Sequence, residues 1–154
     1  MKKISIRKAT ISDLQTLLAF EQGIIFAEKP LDETLRQGQI SYYNLKEMIS
    51  EIETEVAIAI IDNEIVGSGY AKIIQAKDYY DFQEYAYLGF MYTKPEYRGQ
   101  GINKEIIEYL KEWCLSKNII EIRLDVYDTN ISAIKSYEKS GFKKDMVNMR
   151  VRLK

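Results

Sequence analysis

The chain has 154 residues, 46% of them hydrophobic, which suits one globular domain spanning 1–154 with a core of its own. A net charge of −1 with no lysine and arginine cluster gives no electrostatic case for nucleic acid, and no apolar run reaches membrane-spanning length. The reading is therefore a cytoplasmic protein with neither nucleic acid nor membrane as partner.

There is no histidine and a single cysteine, Cys114, so an internal disulfide and most zinc sites are excluded. No metal is expected, and any acid-base chemistry falls to carboxylates, tyrosines, the backbone or water. Cys114 sits among helical apolar positions and reads as core.

In chain order, Ile4 to Arg7 alternates as a strand, and Thr10 or Ser12 caps a helix whose Leu14, Leu17, Leu18 and Ile25 form an apolar stripe. A polar stretch from Pro30 to Ser41 precedes a short helix around Leu45 to Ile52. Val56 to Ile61 is a continuous apolar run, and Asp62-Asn63 turns it into Ile65 to Ile74, which predicts an antiparallel hairpin. Tyr85 to Thr93 reads as the next strand. After a glycine loop comes an amphipathic helix with Ile102, Ile106, Ile107, Leu110, Trp113 and Cys114 on one side and Lys104, Glu108, Lys111 and Glu112 on the other. Ile120, Ile122, Leu124 and Val126 alternate as a strand, so strand, loop, helix and strand predict a parallel crossover unit. Met146 to Leu153 is expected to close the sheet.

Two segments carry chemistry. Thr93 to Asn103 reads Thr-Lys-Pro-Glu-Tyr-Arg-Gly-Gln-Gly-Ile-Asn and joins a strand to a helix. Glycines let a ligand approach the backbone, the unpaired amides of the following helix point at an anion, and Arg98 adds a permanent positive charge. No Gly-Lys-Ser/Thr ending follows, so this is not a P-loop, and the third glycine of a dinucleotide fingerprint is missing. Taken alone, the loop is equally a tight strand-to-helix turn. In the second segment, Asn130 to Phe142, Asn130 is a good N-cap, Gly141 a good stop, and Ala133 and Tyr137 share a helix face. Taken alone, this is a surface helix with one buried tyrosine.

Together, Arg98-Gly99-Gln100-Gly101-Ile102-Asn103 followed by Asn130, Ala133, Tyr137, Gly141 and Phe142 resembles the GCN5-related N-acetyltransferase (GNAT) family. Its pyrophosphate loop reads Arg/Gln-x-x-Gly-x-Gly/Ala, and its later helix reads Asn-x-x-Ala-x-x-x-Tyr-x-x-x-Gly-Phe. The chain departs at Asn103, where the family usually has glycine or alanine; a side chain there would crowd the cofactor or cap the helix. The resemblance implies an α/β (α+β) fold with a mixed, mostly antiparallel central sheet flanked by helices and a splayed parallel strand pair at the cofactor site. It also implies transfer of an acetyl group from acetyl-coenzyme A to a primary amine of a small molecule or peptide, by direct attack in a ternary complex.

On that resemblance, amides from Arg98 to Asn103 hold the pyrophosphate, and main-chain groups of Met91, Tyr92 and Thr93 pair with the pantetheine arm, one of them polarising the thioester carbonyl. Asn130 caps its helix and bonds the arm. Tyr137 is the general acid for the departing thiolate. Relatives carry an acidic residue about where this chain has Gly89 and Phe90, neither of which takes a proton; Glu84, Glu28, Asp32 and Glu33 are the substitutes in play. The acceptor side is expected from Phe26 to Tyr43 and from Gln75 to Tyr85, where Tyr42, Tyr43, Tyr79, Tyr80, Phe82 and Tyr85 offer an amphipathic pocket, a homodimer contact or ordinary half-buried tyrosines. The alternative function is a non-catalytic acyl-coenzyme A-binding or interaction module on the same fold.

Overall fold

A computed structural model describes residues 2–154. Strand β1 (Ser5–Lys8) leads through a single 3-10 turn into helix α1 (Leu14–Glu28), followed by α2 (Leu45–Ser50), β2 (Thr54–Ile61), β3 (Glu64–Gln75), β4 (Glu84–Thr93), α3 (Ile102–Ser116), β5 (Ile122–Arg123) and α4 (Ile131–Lys139). Among the described residues the strands form one sheet in the order β1-β2-β3-β4-β5, antiparallel except for the β4–β5 pair. The expected mixed sheet and parallel crossover are both present.

Local chemistry sets the element ends. The β2–β3 turn places Asp62 and Asn63 at φ +50° and +66°, a left-handed pair that short polar side chains tolerate and that matches the twist of a hairpin. At the start of α1, Asp13 accepts the Thr10 amide at 2.8 Å and both guanidinium nitrogens of Arg7 at 2.9 and 3.1 Å. One carboxylate thus ties β1 to the helix start. Hydrogen bonding from Arg7 holds the Asp13 pKa below its ordinary value, outweighing the cost of burial. A depressed carboxylate adds stability above its unfolded pKa and loses it as pH falls through the folded one. Asp13→Ala is therefore expected to lower unfolding stability by about 1–2 kcal/mol at neutral pH and less in acid, measurable by urea titration at both pH values.

The sheet is covered on both faces. On one, α1 and α2 bury Leu17, Phe20, Leu45, Met48 and Ile49 against Val56, Ile58, Tyr70 and Phe90. On the other, α3 buries Ile102, Ile106, Ile107, Leu110 and Cys114 against Ala57, Ala59, Val66, Ala71, Ala86 and Leu88. Each such aliphatic side chain contributes roughly 1.5–3 kcal/mol on burial. Cys114 is core as expected, and burial pushes its thiol up to about 11.

Four expectations are corrected. Met146 to Leu153 forms no strand in this sheet and is exposed throughout. The Ile120 to Val126 strand shrinks to Ile122–Arg123, because β4 pairs with it only at Ala86 and Tyr87. The second helix stops at Ser50 and leaves Ile52 exposed. Leu18 faces outward because the buried stripe of α1 runs through Leu17, Phe20, Glu21 and Ile25 instead.

Candidate active site

The site begins where β4 and β5 part. They share two register pairs, Ala86↔Ile122 and Tyr87↔Arg123, so β4 from Leu88 to Thr93 has no strand on that edge. A bulge sharpens the parting. Ser68 pairs with Tyr92 but Tyr70 pairs with Gly89, so β4 carries one extra residue, and Phe90 takes φ +57°. The extra residue puts Gly89 against the Tyr70 ring and Phe90 in the same α1-side core, while the buried Ser68 hydroxyl donates to the Phe90 carbonyl at 3.0 Å. Sequence reading missed Phe90 and Ser68. The broken alternation at Gly89-Phe90 was the signal, since a glycine inside a strand marks a bulge or a close approach.

Past the bulge, the Tyr92 ring packs on Phe20 with centroids 4.7 Å apart and Met91 lies over Gly69 on the α3 side. These side chains are structural, which leaves their main chain to line the gap. Thr93 pairs with Gly67, and its carbonyl accepts Arg98 Nε at 3.2 Å.

The loop then turns through two left-handed glycines, Gly99 at φ +78° and Gly101 at φ +83°. A Cβ built on either meets nothing within 4 Å, so open space lies in front of both. Gly101 is the N-cap of α3 and supplies no side-chain cap, leaving the first-turn amides of Ile102 and Asn103 pointing outward. Ile102 is a core side chain, Gln100 is exposed, and the Arg98 guanidinium is exposed at the rim. Asn103 neither fills the open space nor caps α3: its Nδ2 donates to Ser136 Oγ at 3.1 Å and links α3 to α4. An uncapped helix start behind two unobstructed glycines is a cradle that suits a pyrophosphate.

Helix α4 faces the gap from the other side. Asn130 Oδ1 accepts the Ala133 amide at 3.2 Å, which fixes the helix start and leaves its side-chain NH2 free. The Tyr137 ring packs edge-on against Phe142 and belongs to the α3-side core. Burial, aided by the charge of Glu28, pushes its hydroxyl up to about 12, so it is protonated at neutral pH.

The opposite wall comes from the end of α1 and the loop after it. Glu21, 1% exposed in the middle of α1, accepts the amides of Tyr42 and Tyr43 at 2.9 and 2.8 Å and so pins that loop. A glutamate on a core stripe had no signal of this role in the sequence. Two turns further along the same face of α1 stands Glu28, whose carboxyl is held above its ordinary pKa, by burial first and by the charge of Asp32, with the facing Tyr42 hydroxyl offsetting part of the shift. The Tyr42 hydroxyl is buried and has no partner at hydrogen-bonding geometry. Asp32 is the reverse case. Hydrogen bonds from the Thr34 hydroxyl and from Tyr127 Oη, the latter 2.7 Å long, hold it down to about 2. Glu28, Asp32, Tyr42 and Tyr127 thus meet with Tyr137 around one gap.

Other expected residues do not. Glu84 lies at the end of β4 away from the loop, bonded to Gln75, and Glu33 is an exposed partner of Arg150. At Gly89, where a carboxylate was expected of relatives, the Tyr70 ring fills the space a side chain needs. Tyr80, Phe82 and Tyr85 enclose the Arg123 guanidinium at 4.8, 5.4 and 5.8 Å, and Tyr80 and Phe82 also line an open pocket within the Gln75 to Gln83 segment.

Residues 18–142 match the model of the acetyltransferase (GNAT) family. The chain belongs to this family. As a GNAT transferase it is an enzyme that N-acetylates amines, and acetyl-coenzyme A is its donor. It is 29% identical over 150 residues to a spermidine N(1)-acetyltransferase of Thermoplasma acidophilum, covering 91% of this chain and 88% of that one. A thialysine N-epsilon-acetyltransferase of Sus scrofa is 46% identical over 55 residues, 36% of this chain and 32% of that protein. Among solved structures, a predicted acetyltransferase of Clostridium acetobutylicum with acetyl-CoA superposes with a TM-score of 0.72 at 20% identity, covering 98% and 97% of the two chains. The fold of glucosamine-6-phosphate N-acetyltransferase from Arabidopsis thaliana is likewise shared, with a TM-score of 0.71 at 17% identity over 99% and 100%. Among the described residues no helix of this GNAT protein is long and apolar enough to cross a membrane, and no cluster of three or more acidic or cysteine side chains is placed to hold a metal ion.

Proposed function

We propose that this GNAT transferase acetylates a small primary amine carrying further positive charge, in the cytoplasm, without a metal, and by direct attack in a ternary complex. The observation that carries the acceptor class is the wall facing Tyr137. Two carboxylates, Glu28 and Asp32, stand there with the buried Tyr42 hydroxyl turned toward Glu28, an arrangement that attracts an ammonium group. Relatives named for spermidine and thialysine, both amines with a second cationic group, support it.

When bound, acetyl-coenzyme A supplies a thioester carbonyl as the electrophile. The amides of Arg98 to Asn103 hold its pyrophosphate with the Arg98 charge. The unpaired edge of β4 at Met91, Tyr92 and Thr93 takes the amide arm as an added strand, and the free Asn130 NH2 bonds the same arm. A β4 backbone amide there stabilises the oxyanion. Glu28 accepts the proton the amine loses, directly or through water, and Tyr137 gives one to the leaving sulfur. The raised Glu28 carboxyl suits a base, and the protonated Tyr137 suits an acid.

Thiol release from acetyl-coenzyme A across diamines, lysine analogues, uncharged amines and peptides tests this reading. Turnover is expected with the dicationic amines at low KM. Release with none of them, by protein that still binds coenzyme A, would leave only a binding module. The loop has its own test. Gly101→Val places two methyl groups in the open space and forces a left-handed valine, which costs about 1–2 kcal/mol of stability. Coenzyme A affinity is expected to fall ten- to hundredfold by calorimetry while the protein stays folded. Unchanged affinity would move the pyrophosphate off this loop.

A further inference from the structure

Tyr70 of β3 pairs across the ladder with Gly89, which lies just past Tyr87, the last residue of β4 that pairs with β5. Its phenol therefore sits at the fork. A Cβ at position 89 would lie 2.6 Å from Tyr70 Cζ and 2.7 Å from Tyr70 Oη, so the tip of that ring takes the room a side chain there would need. Gly89 is not one of the left-handed glycines, and close approach rather than backbone shape is what requires it. Tyr43 meets the Tyr70 ring edge-on at 5.5 Å and Tyr87 lies at 6.5 Å, which holds the phenol in place.

Covering a glycine across a ladder needs only a ring. Phenylalanine would do it without a hydroxyl to desolvate, and a polar group withdrawn from water without a partner costs stability. Tyr70 is 6% exposed, yet its hydroxyl makes no hydrogen bond to any described residue. Tyr87, Tyr97, Tyr109 and Tyr127 differ, each donating to a carboxylate, of Asp125, Glu64, Glu55 and Asp32 in turn. Nor is the Tyr70 oxygen sealed, because the side-chain polar atom that is both sealed and unpartnered among the described residues is Tyr42 Oη. It faces space that a ligand can enter. Burial pushes the hydroxyl up to about 12, so at neutral pH it is a neutral hydrogen-bonding group and not a base. Burial first, then the neighbouring Tyr70 and Glu28, push the Tyr43 hydroxyl up as well, which puts the β3 phenol and the proposed base in reach of one loop tyrosine.

We infer that the Tyr70 hydroxyl accepts a hydrogen bond from the reacting nitrogen of the acceptor and holds it at the fork. The inference rests on the acceptor wall proposed above. A primary amine that has given a proton to Glu28 keeps its N–H bonds, and one of them donates to Tyr70 Oη while the lone pair stays free for the thioester carbon. The contact exists before attack and during it, so it acts on the KM of the amine more than on kcat.

Tyr70→Phe keeps the ring over Gly89 and its contacts with Tyr43 and Tyr87, so its Tm is expected to equal or exceed that of the wild type. Only the oxygen goes. In steady-state thiol release the KM for the amine is expected to rise roughly ten- to hundredfold, with kcat changed less than about threefold and coenzyme A affinity by calorimetry unchanged. The rise should be the same for a monoamine as for spermidine, because Tyr70 meets the nitrogen that reacts and not the second charge. If monoamines prove the better acceptors, the dicationic reading falls and the effect of Tyr70→Phe is still expected. An unchanged amine KM in folded Tyr70→Phe would overturn the inference alone. So would a loss of Tm or of coenzyme A affinity, which would make the hydroxyl structural. A wild type that neither binds nor acetylates any amine would overturn both the inference and the reading it rests on.

Discussion

Tyr137→Phe is expected to lower kcat roughly hundredfold while leaving coenzyme A affinity unchanged. The substitution keeps the ring and its edge-on contact with Phe142, so α4 and the core beneath it stay as they are. Only the proton donor goes. Burial and the charge of Glu28 push the Tyr137 hydroxyl up to about 12, so the proton is present across the working range, and the activity it supports is lost only as pH rises toward that value. The readout is steady-state kinetics on an acceptor for which chemistry limits the rate, beside calorimetry with coenzyme A. Full activity in the phenylalanine variant would make Tyr137 a packing residue and leave the sulfur to depart unaided or with water.

Glu28→Gln is expected to cost a comparable factor, roughly hundredfold in kcat/KM, and to change the shape of the pH profile as well as its height. A base works deprotonated. Because burial, with Asp32, raises the Glu28 pKa, wild-type kcat/KM should climb with pH through a value above the usual carboxylate range of about 4.3. The glutamine variant loses that limb. Acceptor amines of differing pKa separate this titration from their own, since a limb belonging to Glu28 stays in place when the amine is changed. A limb that follows the amine, or that persists in Glu28→Gln, would show that water or the free amine accounts for the proton.

Features carried by neighbouring residues were legible in the chain. Gly99 and Gly101 before an apolar helix, Asn130 ahead of Ala133 and Tyr137, and Asp62-Asn63 between two apolar runs each specify a backbone shape within a few residues, and each adopts it. Their spacing sufficed for the family resemblance, because caps, left-handed glycines and one-turn offsets are local. The proposed base was not legible. Glu28 looks like any solvated helix-end acid in sequence, and its raised pKa comes first from burial in the folded chain and then from the charge of Asp32, neither of which a local pattern shows.

The sequence by itself determined the helices, the hairpin, the glycine cradle and the tyrosine helix, because backbone preference and hydrophobic period act over a few residues. Only the tertiary structure decided how long β4 and β5 stay paired, which side chains gather around Glu28 and Asp32, and whether the strand pattern from Met146 to Leu153 finds a partner in its own sheet. Those outcomes depend on which surfaces meet across long sequence separation. A period-two pattern specifies an apolar face without specifying what covers it.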